Sequence, residues 1–290
     1  MFTGVITALV TPFRRGAVDE DALRSLVEDQ IANGIDGLVP VGTTGESPTL
    51  TFEEHIRVIK LVVEVAQKRV PIVAGTGANS TQEAIELSLA AKKVGADGML
   101  QVTPYYNKPS QEGLYRHFKE IVEACPLPTI LYNVPGRTGC DLLPETVARL
   151  AELPDIVGIK EATGSTLRAS QVLALCPSRF VVLSGDDAAA FPLFALGGKG
   201  VISVVSNVAP ADMAEMWDAA AAGRWDRARE LHFKLMPLSE GLFIESNPVP
   251  VKSALAMMGR IADELRPPLY PLGGPNREKV RTALTRCGLL

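Results

Sequence analysis

The chain is poorly equipped to hold a metal or to close disulfides. Its four cysteines, Cys125, Cys140, Cys176 and Cys287, lie far apart and form no CxxC pair, so a reducing compartment with free thiols is the simplest reading. The three histidines, His55, His117 and His232, are too scattered for a local zinc motif. No apolar run approaches the roughly 20 residues that cross a bilayer. In MFTGVITALVTPFRR the two arginines follow the apolar stretch instead of preceding it, which is not the order of a signal peptide. Basic charge is also short: 29 Lys+Arg stand against 33 Asp+Glu, a net −4 over 290 residues. That balance argues against nucleic acid or an anionic membrane as the main partner. A small anionic substrate stays compatible with it, because a few local cations suffice. A cytoplasmic location follows as an expectation.

With 47% hydrophobic and 21% charged residues the chain can bury a large core. Short apolar runs at 4–9, 37–41, 72–74, 98–102, 129–132, 157–159, 181–183 and 201–204 read as strands. Segments of helical periodicity separate them. Leu23, Leu26, Val27 and Ile31 share one face over 19–32, as do Ile56, Ile59, Val63 and Ala66 over 52–67. Eight such units in about 220 residues predict an α/β fold, a closed (β/α)8 TIM barrel. The unalternating strands suit burial on both faces. A doubly wound open sheet is the structural alternative, but it often carries a glycine-rich turn after the first strand, where Thr11-Pro12-Phe13 stands here. The alternation stops after Gly223, so residues 1–223 are expected to form the catalytic barrel and 224–290 a helical appendage. A segment that small makes a marginal core alone.

In a barrel, chemistry gathers at the C-terminal strand ends, and the informative residues fall there. Thr43 and Thr44 follow the second strand in Gly42-Thr43-Thr44-Gly45-Glu46, and Tyr105 and Tyr106 follow the fourth. Tyr132 ends the fifth, with Arg137 beyond it in a Pro-Gly turn; Lys160 ends the sixth, and Gly185 follows the seventh. Lys160 is the sharpest candidate. Low-dielectric surroundings favour the neutral amine, and a neutral amine can attack a ketone to form a Schiff base. The bland alternative is a lysine that snorkels to water or pairs with Glu161. Thr43, Tyr106 and Tyr132 could build a proton relay from hydroxyls, or could be ordinary turn and packing residues. Arg137 offers a planar fork for a carboxylate, or is a solvated surface arginine. Gly75-Thr76-Gly77 lacks the last glycine of a dinucleotide turn. There is no Walker A sequence and no GxSxG elbow. Asp186 and Asp187 are expected to cap the next helix.

Gly42–Glu46, Thr103–Asn107, Tyr132–Thr138 and Gly158–Thr163, with Asn247-Pro248-Val249-Pro250-Val251-Lys252, match in order and spacing a known pattern. Through them the chain resembles, nearly end to end, the dihydrodipicolinate synthase family of the pyruvate-dependent class I aldolase superfamily. The resemblance implies a lyase of lysine (diaminopimelate) biosynthesis, joining pyruvate to (S)-aspartate 4-semialdehyde to give 4-hydroxy-tetrahydrodipicolinate, with no organic cofactor and no metal. By residue it implies Lys160 as the Schiff base and Thr44 on the carboxylate of pyruvate. Tyr132 would move protons, linked through Thr43 to a Tyr106 supplied by a neighbouring subunit. Arg137 would take the carboxylate of the aldehyde, and the backbones of Gly185 and Ile202 would line the pocket. A homotetramer built as a dimer of dimers belongs to the same implication. The family's site for inhibitory lysine would correspond to Ser47, Pro48, Phe52, His55, Asn79, Glu83 and Tyr105. Phe52 and Pro48 depart from the pattern there, so weak inhibition at most is expected. Lyases for sialic or other sugar acids share the lysine and its strand but generally lack an arginine like Arg137. A non-catalytic small-molecule sensor is the rival from a different class.

Overall fold

In the computed structural model, which describes residues 2–290, the apolar runs become eight parallel strands. They are β1 (Gly4–Ala8), β2 (Gly37–Val39), β3 (Val73–Gly75), β4 (Gly98–Val102), β5 (Thr129–Asn133), β6 (Ile156–Glu161), β7 (Val181–Ser184) and β8 (Gly200–Ser203). Hydrogen bonding runs in the order β2-β1-β8-β7-β6-β5-β4-β3. A parallel bridge between Leu38 and Ile72 then joins β2 to β3 and closes the cylinder. This is the (β/α)8 barrel the alternation predicts, and the open-sheet alternative falls. Met1 lies outside the described residues.

Most strand ends fall within one residue of the sequence pattern; two differ by two residues, each for a backbone reason. The run 37–41 stops at Val39, because Pro40 has no N–H to give and Val41 turns left-handed at φ 49°. Conversely β6 continues past Ile159. Lys160 is paired with Tyr132 on one side and Leu183 on the other, so the lysine sits within the strand.

A helix follows every strand, and local chemistry sets its start. Asp19, Thr51, Ser80, Ser110 and Ser165 each cap a helix by accepting a backbone N–H of its first turn. In the helix Glu20–Ala32 the buried face holds Gln30 where the apolar pattern put Ile31. Gln30 accepts from the Thr7 hydroxyl at 2.6 Å and donates to the Ser206 carbonyl at 2.9 Å, so its amide is satisfied in the core. Ile6, Ala8, Val39, Val73, Leu100, Ile130, Leu183 and Ile202 fill the barrel interior. Beyond Gly223 come the helices Trp225–Gly241, Val249–Met257 and Gly274–Arg286. Their Leu231, Leu235, Leu238, Val251, Leu255, Val280 and Leu284 share one apolar cluster with Val5, Leu38 and Val201 of the barrel. Among the described residues no helix is long and apolar enough to cross a membrane.

Candidate active site

The strand periodicity of two sends Lys160 and Glu161 to opposite sides of the barrel wall. Glu161 accepts from Asn133 Nδ2 at 3.2 Å and from the Thr163 backbone at 2.8 Å, which removes the Lys160–Glu161 pairing as a reading. Lys160 is 5% exposed, and its Nζ stands 4.3 Å from the ring centroid of Tyr132, its register partner on β5. It is therefore an interior amine and does not snorkel to water. Gly185 makes room for its stem. A Cβ there would stand 3.1 Å from Lys160 Cε and 2.5 Å from Ala162 Cβ. Ile202 is buried in the same interior cluster as Tyr132.

The loop after β2 carries Thr43 and Thr44 on a strained frame. Val41 and Glu46 both sit at positive φ, 49° and 55°, which a β-branched residue in particular avoids. A Cβ on Gly45 would press within 2.9 Å of the Val41 backbone, so the tight turn needs glycine. The strain is held by an ion pair between Glu46 and Lys252, both side chains fully buried. The Arg266 backbone N–H adds a second donor to Glu46 at 3.1 Å. Burial pushes the Lys252 ammonium below its ordinary range, and the Glu46 charge opposes that shift. The Phe13 ring lies 4.2 Å from Lys252 Nζ and 4.4 Å from the Arg266 guanidinium carbon.

Thr44, 2% exposed, accepts at 3.0 Å from the side-chain amide of Asn247. The Asn247 carbonyl in turn accepts from Arg137 Nη2 at 3.1 Å. Arg137 belongs to the short helix Pro135–Thr138 and faces an open groove with Phe243, Glu245 and Ser246. Thr44, Asn247 and Arg137 thus form one chain of contacts along the rim. Behind it, on the outer side of β5 and β6, Asn133 also donates to Asp141 at 2.9 Å, and Asp141 takes both guanidinium nitrogens of Arg168 at 2.7 Å.

Thr43 and Tyr132 line a cavity of about 270 Å³, together with Ser47, Pro48, Phe52, His55, Glu83 and Tyr105. The hydroxyl pair and the residues matched to a lysine site therefore share one space. His55 donates from Nε2 to the Gly75 carbonyl at 2.8 Å, and burial depresses its pKa, which favours the neutral imidazole. Burial and the nearby Glu83 charge raise the Tyr105 hydroxyl. Asn79 does not line the cavity; its amide donates to the Tyr105 carbonyl at 3.2 Å. Tyr106 departs most from the others. At φ 74° and 89% exposed, its side chain stands in solvent and does not line the cavity that holds Thr43 and Tyr132. No group of three His, Cys, Asp or Glu suited to a metal occurs among the described residues.

Three features escaped sequence reasoning. Asn247 and Lys252 read only as parts of a motif, although a lone charge in the largely apolar helix Val249–Met257 signals a buried anion partner. Asp186 and Asp187 divide their work, contrary to the shared capping expected. Asp186 accepts from the Ala188 N–H at 2.9 Å and so does cap locally. Asp187 is buried, its carboxyl pushed up by burial, and takes the Ser203 hydroxyl and the Val204 and Val205 N–H groups. It thereby gathers the turn after β8 onto one carboxylate.

The profile of the Dihydrodipicolinate synthetase family matches residues 1–287. A relative from Geotalea daltonii, named 4-hydroxy-tetrahydrodipicolinate synthase, is 59% identical over 290 residues, all of both chains. One from Syntrophus aciditrophicus with the same name is 57% identical over the same full length. Among solved structures, the chloride-inhibited dihydrodipicolinate synthase of Acinetobacter baumannii, complexed with pyruvate, superposes with a TM-score of 0.98 at 52% identity and covers 100% of both chains. From the motifs through the closed barrel to these full-length matches, every level agrees: the chain belongs to the dihydrodipicolinate synthetase family.

Proposed function

We propose that the chain is a lyase that condenses pyruvate with (S)-aspartate 4-semialdehyde through a Schiff base on Lys160, in lysine biosynthesis. The interior placement of Lys160 against Tyr132 carries the reading. The neutral amine attacks the keto carbon of pyruvate, and water leaves to give the imine. Loss of a methyl proton gives an enamine, with Tyr132 and Thr43 beside it to move protons. The enamine carbon bonds to the aldehyde carbon of the second substrate, whose oxygen takes a proton and becomes the 4-hydroxyl. The substrate's amine then attacks the imine carbon, closes the ring and expels Lys160. Thr44 holds the carboxylate of pyruvate, Arg137 that of the aldehyde, and the backbones of Gly185 and Ile202 complete the wall. Residues 1–223 carry this chemistry, and 224–290 brace its rim.

The outward Tyr106 fits a subunit arrangement in which it completes the relay of a neighbour, in a dimer that pairs again into a tetramer. The cavity lined by Ser47, His55, Glu83 and Tyr105 is no more than a weak lysine site in this reading, since Phe52 and Pro48, which depart from the pattern of the family, line it too. A sugar-acid lyase is the second reading, and Arg137 speaks against it. Borohydride reduction in the presence of pyruvate should fix one pyruvate-derived mass on Lys160, located by peptide mass spectrometry. Arg137→Ala should keep that adduct while losing about a hundredfold in kcat/KM for the aldehyde, the scale of a lost charged pair. A wild-type chain without the adduct would favour a sensor, and unchanged turnover in Arg137→Ala would reject the aldehyde.

A further inference from the structure

We infer that Asn247 is a positioning residue that sets the polarity of the Thr44 hydroxyl, so that its proton faces the carboxylate of the keto acid. The inference rests on the reading of Thr44 as the holder of that carboxylate. A threonine hydroxyl has one hydrogen and two lone pairs, and a carboxylate only accepts. Thr44 can therefore serve a carboxylate only if nothing else consumes its proton. Asn247 meets that condition by donating: its Nδ2 lies 3.0 Å from Thr44 Oγ1. The orientation of the amide follows from its other end. Asn247 is 7% exposed, and its Oδ1 is buried without a partner. The reverse orientation would leave both amide hydrogens without a partner, where this one leaves one hydrogen and the carbonyl oxygen, and an orphaned buried N–H is rarer than an orphaned carbonyl. A donated bond also polarises the hydroxyl and strengthens the one it makes.

The geometry isolates this role. Arg137 bonds the backbone carbonyl of Asn247, not its side chain, at 3.1 Å. Lys252, on the helix that begins two residues after Asn247, is clamped to Glu46 of the loop that carries Thr44. Backbone and helix stay anchored when the amide is removed, so a side-chain substitution addresses Thr44 and leaves Arg137 in place.

The test is a set of KM values for both substrates in wild type, Asn247→Ala, Asn247→Asp, Thr44→Val and the Asn247→Ala/Thr44→Val double variant. Asn247→Ala should raise the pyruvate KM about tenfold, the scale of one hydrogen bond, with the aldehyde KM changed less than about twofold. Asn247→Asp keeps the shape but can only accept from Thr44, so it should be worse, on the order of a hundredfold. In the Thr44→Val background, Asn247→Ala should change the pyruvate KM by less than about twofold. Equal movement of both KM values, multiplying effects in the double variant, or wild-type pyruvate affinity in Asn247→Asp would each overturn the assignment. So would a lowered melting temperature without a change in KM. If Asn247→Ala fails to fold, the same-shaped Asn247→Asp decides alone. A wild-type chain without a trapped adduct on Lys160 sinks the proposed function itself. An adduct with an unmoved pyruvate KM in Asn247→Ala sinks this inference only.

Discussion

An amine that must become an imine and be released again needs space along its stem as much as a suitable neighbourhood. On β6 the space comes from a missing side chain on the next strand. A Cβ at Gly185 would stand 3.1 Å from Lys160 Cε, tighter than ordinary contact. Gly185→Ala should slow imine formation by about tenfold or more, because a misplaced nucleophile is costly. It should also lower the melting midpoint by a few degrees through overpacking against Ala162. Single-turnover trapping with pyruvate reads the first effect and calorimetry the second; an unslowed adduct would show that the stem has room to spare. Lys160 was legible as a candidate because a charge after Ile-Val-Gly-Ile is out of place on a core strand, although snorkelling or pairing with Glu161 explained it equally well until the structure removed both. Asn247 was not, because a polar residue before proline reads as a turn. Its meaning comes from Thr44, 203 positions away.

At the scale of elements, the helix Phe52–Ala66 shows how one segment connects stability with the cavity. Thr51 and Glu54 form a reciprocal capping box at its start, a pattern visible in the sequence. Glu54 also takes both guanidinium nitrogens of Arg266 at 2.6 Å, which no local pattern announces. Arg266 lowers the Glu54 carboxyl from 4.5 to about 2. A depressed carboxyl stabilises the fold fully above its unfolded value, so this contribution is lost as pH falls from about 4.5 towards 2. On the helix Gln111–Ala124, burial holds the His117 imidazole at about 4 instead of 6.5. There the fold favours the neutral form, so stability declines as pH falls from about 6.5 to 4. Melting temperature against pH should therefore fall in two overlapping stages. Glu54→Gln should flatten the lower stage only, and a lower stage unchanged in that variant would refute the assignment. Strand positions were legible from hydrophobic runs, whereas the ends of β2 and β6 were not. Val41 leaves β2 by its backbone angle, and Lys160 stays in β6 by pairing on both sides.

At the scale of the whole molecule, eight repeats announced the cylinder, since parallel strands with covering helices have few ways to close. The tie between Leu38 and Ile72 that completes it is a single bridge that no periodicity could show. Partners beyond the chain were legible only through resemblance, and the outward Tyr106 gives them a physical test. Lys160→Ala and Tyr106→Phe should each be nearly inactive alone. If Tyr106 serves the neighbour, co-expressed and randomly paired subunits should regain about a quarter of wild-type activity, because half of the pairs hold one intact site. No recovery would place Tyr106 outside the partner's chemistry. The Glu46–Lys252 pair has a further consequence for a chain made one residue at a time. Its partners are 206 positions apart, so every strand has left the ribosome before the clamp on the Thr43–Thr44 loop can form. Domains fold largely as units during synthesis; in this one every strand is available before the late-synthesised lysine, and the Thr43–Thr44 loop waits for that lysine to be pinned.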